Sequence, residues 1–499
     1  MIFTKLNLIC LILILTLLIP NQALAGGPLE VRDGKILSYE TRPFFYKYDT
    51  GRLGVLSNEE AVALVEELFS MWSSQETANI KFVKFLKGFL ETDINASNFK
   101  SVLKPTTDES LNGFTPIVFD EDGTLLDAYV GKGASNSILG VGGPIVLQFQ
   151  EMFSIPESQI ILNGMLINGI DTKEDKEVSI NVFKRTIVHE IGHAIGLSHS
   201  QINTEALDPA SSKEVKDSVP IMFPRGVSDL LTICQDDTSA LSLVYPNQEK
   251  LKKFGQITGR IFRKDGRTPV LGANIILRNT VDPLNKAISC VSDFLEQKNG
   301  LFTLFAIPPG TYTLEIEPIN TSFKGGKGSS GSAVGPYSKD INGESFIDPV
   351  PKGYFTDANL PITEDKNKAK IIEIKEGDLL TTFDIISTFA EEDSSASLNI
   401  NGPRTVTLKT KGHKTIRIEV IANSFLEESI CRVYPSIDLN IKPKEFVLNS
   451  INNKKTFGVA IPKSLIRILV KNKTVQEVIL NVNCSNGAKN NFSFNLLPN

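Results

Sequence analysis

The eleven residues His189-Glu190-Ile191-Gly192-His193-Ala194-Ile195-Gly196-Leu197-Ser198-His199 constrain this chain more than any other stretch. On a helix, His189 and His193 stand one turn apart on one face, so their imidazoles can converge on one cation. Glu190 follows the first of them, where its carboxylate reaches a metal-bound water without taking a coordination position, the place of a general base. Gly196 lets the helix end in a left-handed turn that sends the chain back across the metal, and His199 arrives as a third ligand. Three imidazoles at about 2.0–2.1 Å leave a fourth position open, the mark of a catalytic rather than a structural zinc. The chain has four histidines, so three of them falling at ligand spacing in one short stretch argues against chance. Phe183, Ile187, Ile191 and Ile195 form the opposite stripe of the helix, the one that packs into a core.

This motif resembles that of the metzincin zinc peptidases, for which a methionine turn is expected downstream. Pro220-Ile221-Met222-Phe223-Pro224 looks like that turn, with Met222 as its methionine. Ser200 after the third histidine, and the stretch from Gln235 to Pro246 with its paired Asp236 and Asp237, are similar to the matrixin branch, the matrix metalloproteinases. The resemblance is tight from Phe183 to Pro246 and loose upstream. It implies an α+β catalytic domain, one catalytic Zn2+, protein or peptide substrates, and Met222 as an apolar floor beneath the imidazoles. It also suggests that a free amino terminus near Gly26 could pair with Asp236 or Asp237. Three departures stand out. No cysteine between Cys10 and Cys234 could silence the zinc, the only histidine left for a second zinc is His413, and the link from His199 to Met222 is long. The extra residues between Gln201 and Pro220 are expected to shape the primed side of the cleft.

At 499 residues the chain calls for several domains. A net charge of −5 offers no basic surface for nucleic acid. Met1 to Ala25 reads as a secretory signal, with Lys5, an apolar run from Leu6 to Pro20, and the small-residue site Ala23-Leu24-Ala25. An uncleaved anchor is the alternative, but the run is short for a span of about 20 residues. The expectation is therefore a secreted, extracellular protein whose mature part has no transmembrane span. Export permits disulfides, and Cys431 with Cys484 is the expected pair, while Cys234 and Cys290 could join two domains or stay free.

In the catalytic domain, residues 26–250, Phe44 to Tyr48 has strand composition. Ser57 with Glu60 forms a capping box ahead of an amphipathic helix whose Trp72 belongs to the core. Asp120-Glu121-Asp122-Gly123, with Asp127, could hold Ca2+ or be a solvated acidic turn. Gly131 to Gly143 reads as a loop near the cleft, Gln159 to Asn163 as a strand, and a helix starts near Ser179.

Beyond a lysine-rich connector, alternating strands punctuated by glycine over residues 255–390 resemble the carboxypeptidase regulatory-like, transthyretin-like β-sandwich. After the polar linker Glu391 to Ser395, residues 396–499 alternate at period two with no long helical pattern, as in an immunoglobulin-like β-sandwich. The fold class expected is thus multidomain, an α+β catalytic domain followed by two all-β sandwich domains. Two functions follow. One is a secreted zinc endopeptidase whose β-domains hold it near a matrix or cell-surface ligand. The other is a non-catalytic matrix-binding or cell-surface protein with a remnant peptidase domain.

Overall fold

The computed structural model describes residues 27–39, 43–103, 111–145, 154–171, 177–319, 350–388 without 359, 397–403, 405–408, 414–423, 429–435, 439–442, 445–448, 453–473, 475–484 and 489–498. The signal reading over Met1 to Ala25, the linker Glu391 to Ser395 and His413 lie outside the described residues.

Chain entry is a small hairpin, β1 (Val31–Arg32) with β2 (Lys35–Ile36). Then come β3 (Phe44–Tyr48), α1 (Asn58–Ser73), β4 (Phe82–Phe89), β5 (Thr115–Asp120), α2 (Thr124–Tyr129), β6 (Gly140–Ile145), β7 (Glu157–Asn163) and α3 (Ile180–Ala194). The five strands form one sheet in the order β4-β3-β5-β7-β6, parallel except for β6, which runs antiparallel to β7 at one edge. Period-two alternation splits the apolar residues between its faces. Ile117, Phe119, Ile160 and Leu162 meet α1 and α3 in the main core, while Val118 and Ile161 meet Leu125 and Leu126 of α2 on the other side.

Ser57 caps α1 in a capping box with Glu60, and Ser179 caps α3 by accepting from the Val182 N–H. Trp72 is buried, and its indole N–H donates to the Val188 carbonyl at 2.9 Å, pinning α1 to α3. The glycine-rich stretch departs from expectation. Its last residues are strand β6, because Gly140 and Gly142 let the backbone lie against α3 where side chains would not fit. A Cβ at Gly142 would stand 2.4 Å from the Glu190 carbonyl oxygen.

After His199 the chain forms a single turn at Thr204–Leu207, α4 (Lys213–Asp217), the methionine turn, α5 (Gln235–Val244) and α6 (Gln248–Leu251). The insertion's inner face packs Ala206 and Val215 on Phe223 and Val227. Its beginning packs on the next region, with Ile202 against Ile276 and Ala287.

The rest of the molecule is largely β. The middle region has β8 (Gly255–Phe262), β9 (Ala273–Asn279), β10 (Ala287–Val291), β11 (Leu301–Ile307), β12 (Gly310–Pro318), β13 (Gly353–Tyr354), β14 (Ile372–Ile374), β15 (Leu379–Leu380) and β16 (Ile385–Ile386). One sheet runs β10-β9-β12-β13 with β14 on β12, another β11-β8-β15 with β16 on β8, and they share one core.

In the last region, β17 (Ser397–Asn401), β19 (Lys414–Asn423), β23 (Lys454–Ile461) and β21 (Asn440–Lys442) form one sheet. The other contains β18 (Thr405–Leu408), β25 (Lys489–Pro498), β24 (Gln476–Cys484), β20 (Ser429–Pro435) and β22 (Glu445–Leu448). Cys431 and Cys484, opposite each other on β20 and β24, are joined by a disulfide.

This region is not purely β, which corrects the sequence reading: α7 (Lys463–Asn472) interrupts the strands. Ile466 and Leu469 of α7 are buried against the core. The stretch Leu465-Ile466-Arg467-Ile468-Leu469-Val470 has the aliphatic content of a strand, and only its spacing of inward residues marks a helix.

A candidate metal centre beneath the edge strand

The helix α3 carries Phe183, Ile187 and Ile191 into the core, and its opposite face presents His189 and His193 together. The helix ends at Ala194, and Gly196 takes φ +88°, a conformation that disfavours a side chain. The Gly196 N–H donates to the His193 carbonyl and the Leu197 N–H to that of Gly192, closing the helix as the chain reverses. Two contacts hold the reversed segment: Leu29 N–H to the Gly196 carbonyl, and Ser198 N–H to the Gly27 carbonyl. Tyr245 adds a third, donating its hydroxyl to the Ile195 carbonyl at 2.6 Å.

His199 thereby lands opposite the other two rings. Its Nε2 lies 3.2 Å from that of His189 and 3.0 Å from that of His193. His193 is buried and the other two are half-buried. His189 Nδ1 donates to the Ile221 carbonyl at 2.7 Å and His193 Nδ1 to the Leu197 carbonyl at 2.8 Å. A carbonyl only accepts, so both protons are committed to Nδ1 and both Nε2 atoms present lone pairs. Burial pushes the two rings down, His189 to about 3 and His193 to about 4, which keeps them neutral at physiological pH. Lone pairs crowded this closely without a cation would repel. Tetrahedral bonds of about 2.0–2.1 Å would set ligand nitrogens roughly 3.3–3.4 Å apart, near the spacing present. The donor set therefore fits a zinc ion, and among the described residues it is the one cluster of three or more such side chains placed to share a metal.

Glu190 is buried beside His189, with Gly140 and Gly142 of β6 laid against it. Burial raises its carboxyl to about 8, and the Gly142 N–H partly offsets that.

Met222 packs beneath α3, where a Cβ on Gly192 would stand 2.4 Å from its Sδ. Asp237 fixes that turn. Its carboxylate accepts from the N–H groups of Ile221 at 2.9 Å, Met222 at 3.0 Å and Cys234 at 3.1 Å. Asp236 points elsewhere, accepting from the N–H and hydroxyl of Ser289 in the middle region. Residue 26 is outside the described residues, so the pairing suggested for the amino terminus has no structural account.

Other expected groups are not gathered into a site. Asp120 caps α2 by accepting from the N–H groups of Leu125 and Leu126, Asp122 accepts from Thr124, and Asp127 accepts from Gly133 and Ser135. These carboxylates accept from the backbone of their own turn and of α2, and Asp120 is buried rather than solvated. Cys234 and Cys290 carry free thiols.

Sequence reasoning missed Arg185. It lies one turn before His189 and is buried, its guanidinium donating to the carbonyls of Leu230 at 2.6 Å, Val219 at 3.2 Å and Pro220. It thus ties together both ends of the segment that contains the methionine turn. Lys184 stands beside it in the chain, so no local signal set Arg185 apart.

Residues 44–222 match the matrixin family. This segment is matrixin-like, a metallopeptidase domain in kind. No curated protein matches the chain. Among solved structures, the periplasmic chaperone SfaE is 13% identical over 20% of this chain and 57% of its own length, with a TM-score of 0.17. BcpA, the major pilin subunit of Bacillus cereus, is 9% identical over 49% of this chain and 69% of its own, with a TM-score of 0.15. The full-length major pilin SpaD of Corynebacterium diphtheriae is 9% identical over 49% and 65%, with a TM-score of 0.18. The chain thus spans little more than half of the first of these proteins. No helix among the described residues is long and apolar enough to cross a membrane.

Proposed function

We propose that this chain is an exported zinc endopeptidase that hydrolyses peptide bonds of proteins. The observation that carries the reading is the convergence of three Nε2 atoms, two of them stripped of protons by the Ile221 and Leu197 carbonyls. His189, His193 and His199 would hold the zinc. When bound, zinc polarises a substrate carbonyl and lowers the pKa of its water from 15.7 towards about 7.

The chain's own residues supply the rest. Glu190 takes the proton from the attacking water and returns it to the leaving nitrogen. Strand β6 is the last of its sheet on the side where it covers Glu190, and an extended peptide laid along it would bring a scissile bond to the imidazoles. Met222, under Gly192, supports the histidine face from below without touching substrate. The β-rich remainder, read as a transthyretin-like and an immunoglobulin-like sandwich, would hold the enzyme near a matrix or cell-surface ligand. Met1 to Ala25 would direct export.

Zinc analysis of the purified protein, with casein or peptide cleavage compared between the natural chain and Glu190→Ala, tests this reading. One zinc per chain in both proteins is expected, with cleavage reduced about 10²–10⁴-fold in the variant. Equal cleavage by both would count against Glu190 as the base, and none by either with zinc bound would favour the non-catalytic alternative.

A further inference from the structure

The segment that leaves the third histidine does not run free across the surface. Directly after His199 and Ser200 it lies down on the middle region's sheet. Strand β9 reads Ala273-Asn274-Ile275-Ile276-Leu277-Arg278-Asn279, and its residues divide by parity. Ile275 and Leu277 enter the middle region's own core, together with Ile288 and Cys290 of β10. Asn274, Ile276 and Arg278, with Ala287 and Ser289 of β10 paired beside them, form the opposite face. That face is covered by the peptidase region.

Each residue of it has a partner there. Ile276 and Ala287 enclose Ile202 in a small apolar cluster, all three buried. Asn274 donates its side-chain amide to the Gln201 carbonyl at 3.1 Å, and Arg278 donates to Asn203 Oδ1 at 2.7 Å. Asn203 is buried in a left-handed conformation, φ +54°. Its amide spans to the carbonyls of Ser218, 3.0 Å away, and Leu284, 3.1 Å away. Ser289 gives both its N–H, at 2.5 Å, and its hydroxyl, at 2.9 Å, to Asp236. Asp236 is the neighbour of Asp237, which holds the methionine turn, and Ser200 N–H donates to the Met222 carbonyl at 2.9 Å. Residues 200–203 and the methionine turn are therefore joined to each other and seated on one foreign sheet.

We infer that the middle β-region is part of the metal centre: the face Asn274, Ile276, Arg278, Ala287 and Ser289 holds the loop bearing His199 and the helix start bearing Asp236 and Asp237. This deepens the zinc reading above and rests on it. The residues named are positioning residues, since none reaches the metal pocket. Their effect on the third ligand follows from geometry. His189 and His193 are set by a helix packed in its own core, whereas His199 sits on irregular chain whose next residues are held by Met222 and Ser218 on one side and by β9 and β10 on the other. Removing partners that orient a metal ligand typically costs 10–100-fold in metal affinity.

The test uses the full chain. Asn274→Ala removes the bond to Gln201, Arg278→Ala removes the bond to Asn203 together with the ion pair to Glu315 within the middle region, and Asn203→Gly removes a side chain while keeping the left-handed backbone. Lys370→Ala, on an exposed ion pair with Asp357 of the same region, is the control. Zinc affinity is read by chelator competition and ligand geometry by the visible spectrum of the Co2+-substituted protein. The three variants should bind zinc about 10–100-fold more weakly with an altered cobalt spectrum, and the control should match the natural chain. Unchanged affinity and spectrum in all three would overturn the inference. A natural chain that takes up neither zinc nor cobalt would instead overturn the metal reading beneath it.

Should a variant fail to fold, the natural chain still decides. By linkage, loading it with zinc should slow hydrogen exchange in β9 and β10 as well as in α3. Protection confined to the peptidase region would count against the inference.

Discussion

At the scale of single residues, the site depends on where side chains are missing as much as on where they are. Gly142 is the clearest case. Its missing Cβ would meet the Glu190 carbonyl oxygen at 2.4 Å and the adjoining carbon at 3.0 Å, both main-chain atoms that cannot swing aside. Gly142→Ala should therefore lift β6 off α3, costing about 1–3 kcal/mol in denaturant unfolding and lowering cleavage further than the stability loss explains. Glu30 gives a pH-dependent case away from the metal. Burial raises its carboxyl to about 8 from the ordinary 4.5, with Arg32 offsetting and Glu296 adding to the rise. The folded state then holds a proton that the unfolded chain has released. The stability contribution is full below pH 4.5 and is lost as pH rises through about 8. Melting temperatures of Glu30→Gln and the natural chain should therefore diverge between those two values, with the variant the more stable, and run parallel above them. A gap that is constant across that range would contradict the assignment.

Among the elements, the methionine turn shows how little of its shape is its own. Its backbone donors end on Asp237, and its carbonyls face His189 and Arg185. Asp237→Ala would leave the buried N–H groups of Ile221 and Met222, and the half-buried one of Cys234, without their acceptor. It should cost at least about 2 kcal/mol in unfolding free energy, and weaken zinc binding because His189 loses its support. The parts of the site that lie close together in the chain could be read from it. The spacing of His189, His193 and His199 and the caps Ser57 and Ser179 are local patterns, each with a physical reason within a few residues. Arg185, Gly142 and Asn203 were invisible for the opposite reason: their partners lie on other elements, and nothing near them in the chain names those partners. The helix α7 was missed because Leu465 to Val470 satisfies strand composition, and tertiary packing of Ile466 and Leu469 decides between the two. In β9 the run Ile275-Ile276-Leu277 was read only as one of several alternating strands, although a continuous apolar run fits a strand covered on both faces.

Across the whole molecule, the coupling is uneven. The peptidase and middle regions meet at α5, where Asp236 accepts from Ser289 in a buried contact and Gln235 and Ser239 donate to the carbonyls of Ala306 and Phe305 in half-buried ones. The last region has its own core, closed by Cys431–Cys484. Replacing both cysteines by serine should cost that region about 2–5 kcal/mol and lower its own calorimetric transition, leaving zinc content and peptide cleavage unchanged. Loss of zinc in that variant would show a wider coupling than the contacts support. All of this depends on the convergence of three imidazoles on one ion, which X-ray absorption at the zinc edge of the loaded protein measures directly. The prediction is three imidazole nitrogens and one oxygen at about 2.0–2.1 Å, with one imidazole lost in His199→Ala. Fewer than three imidazoles in the natural chain, or a spectrum that His199→Ala leaves unchanged, would contradict it.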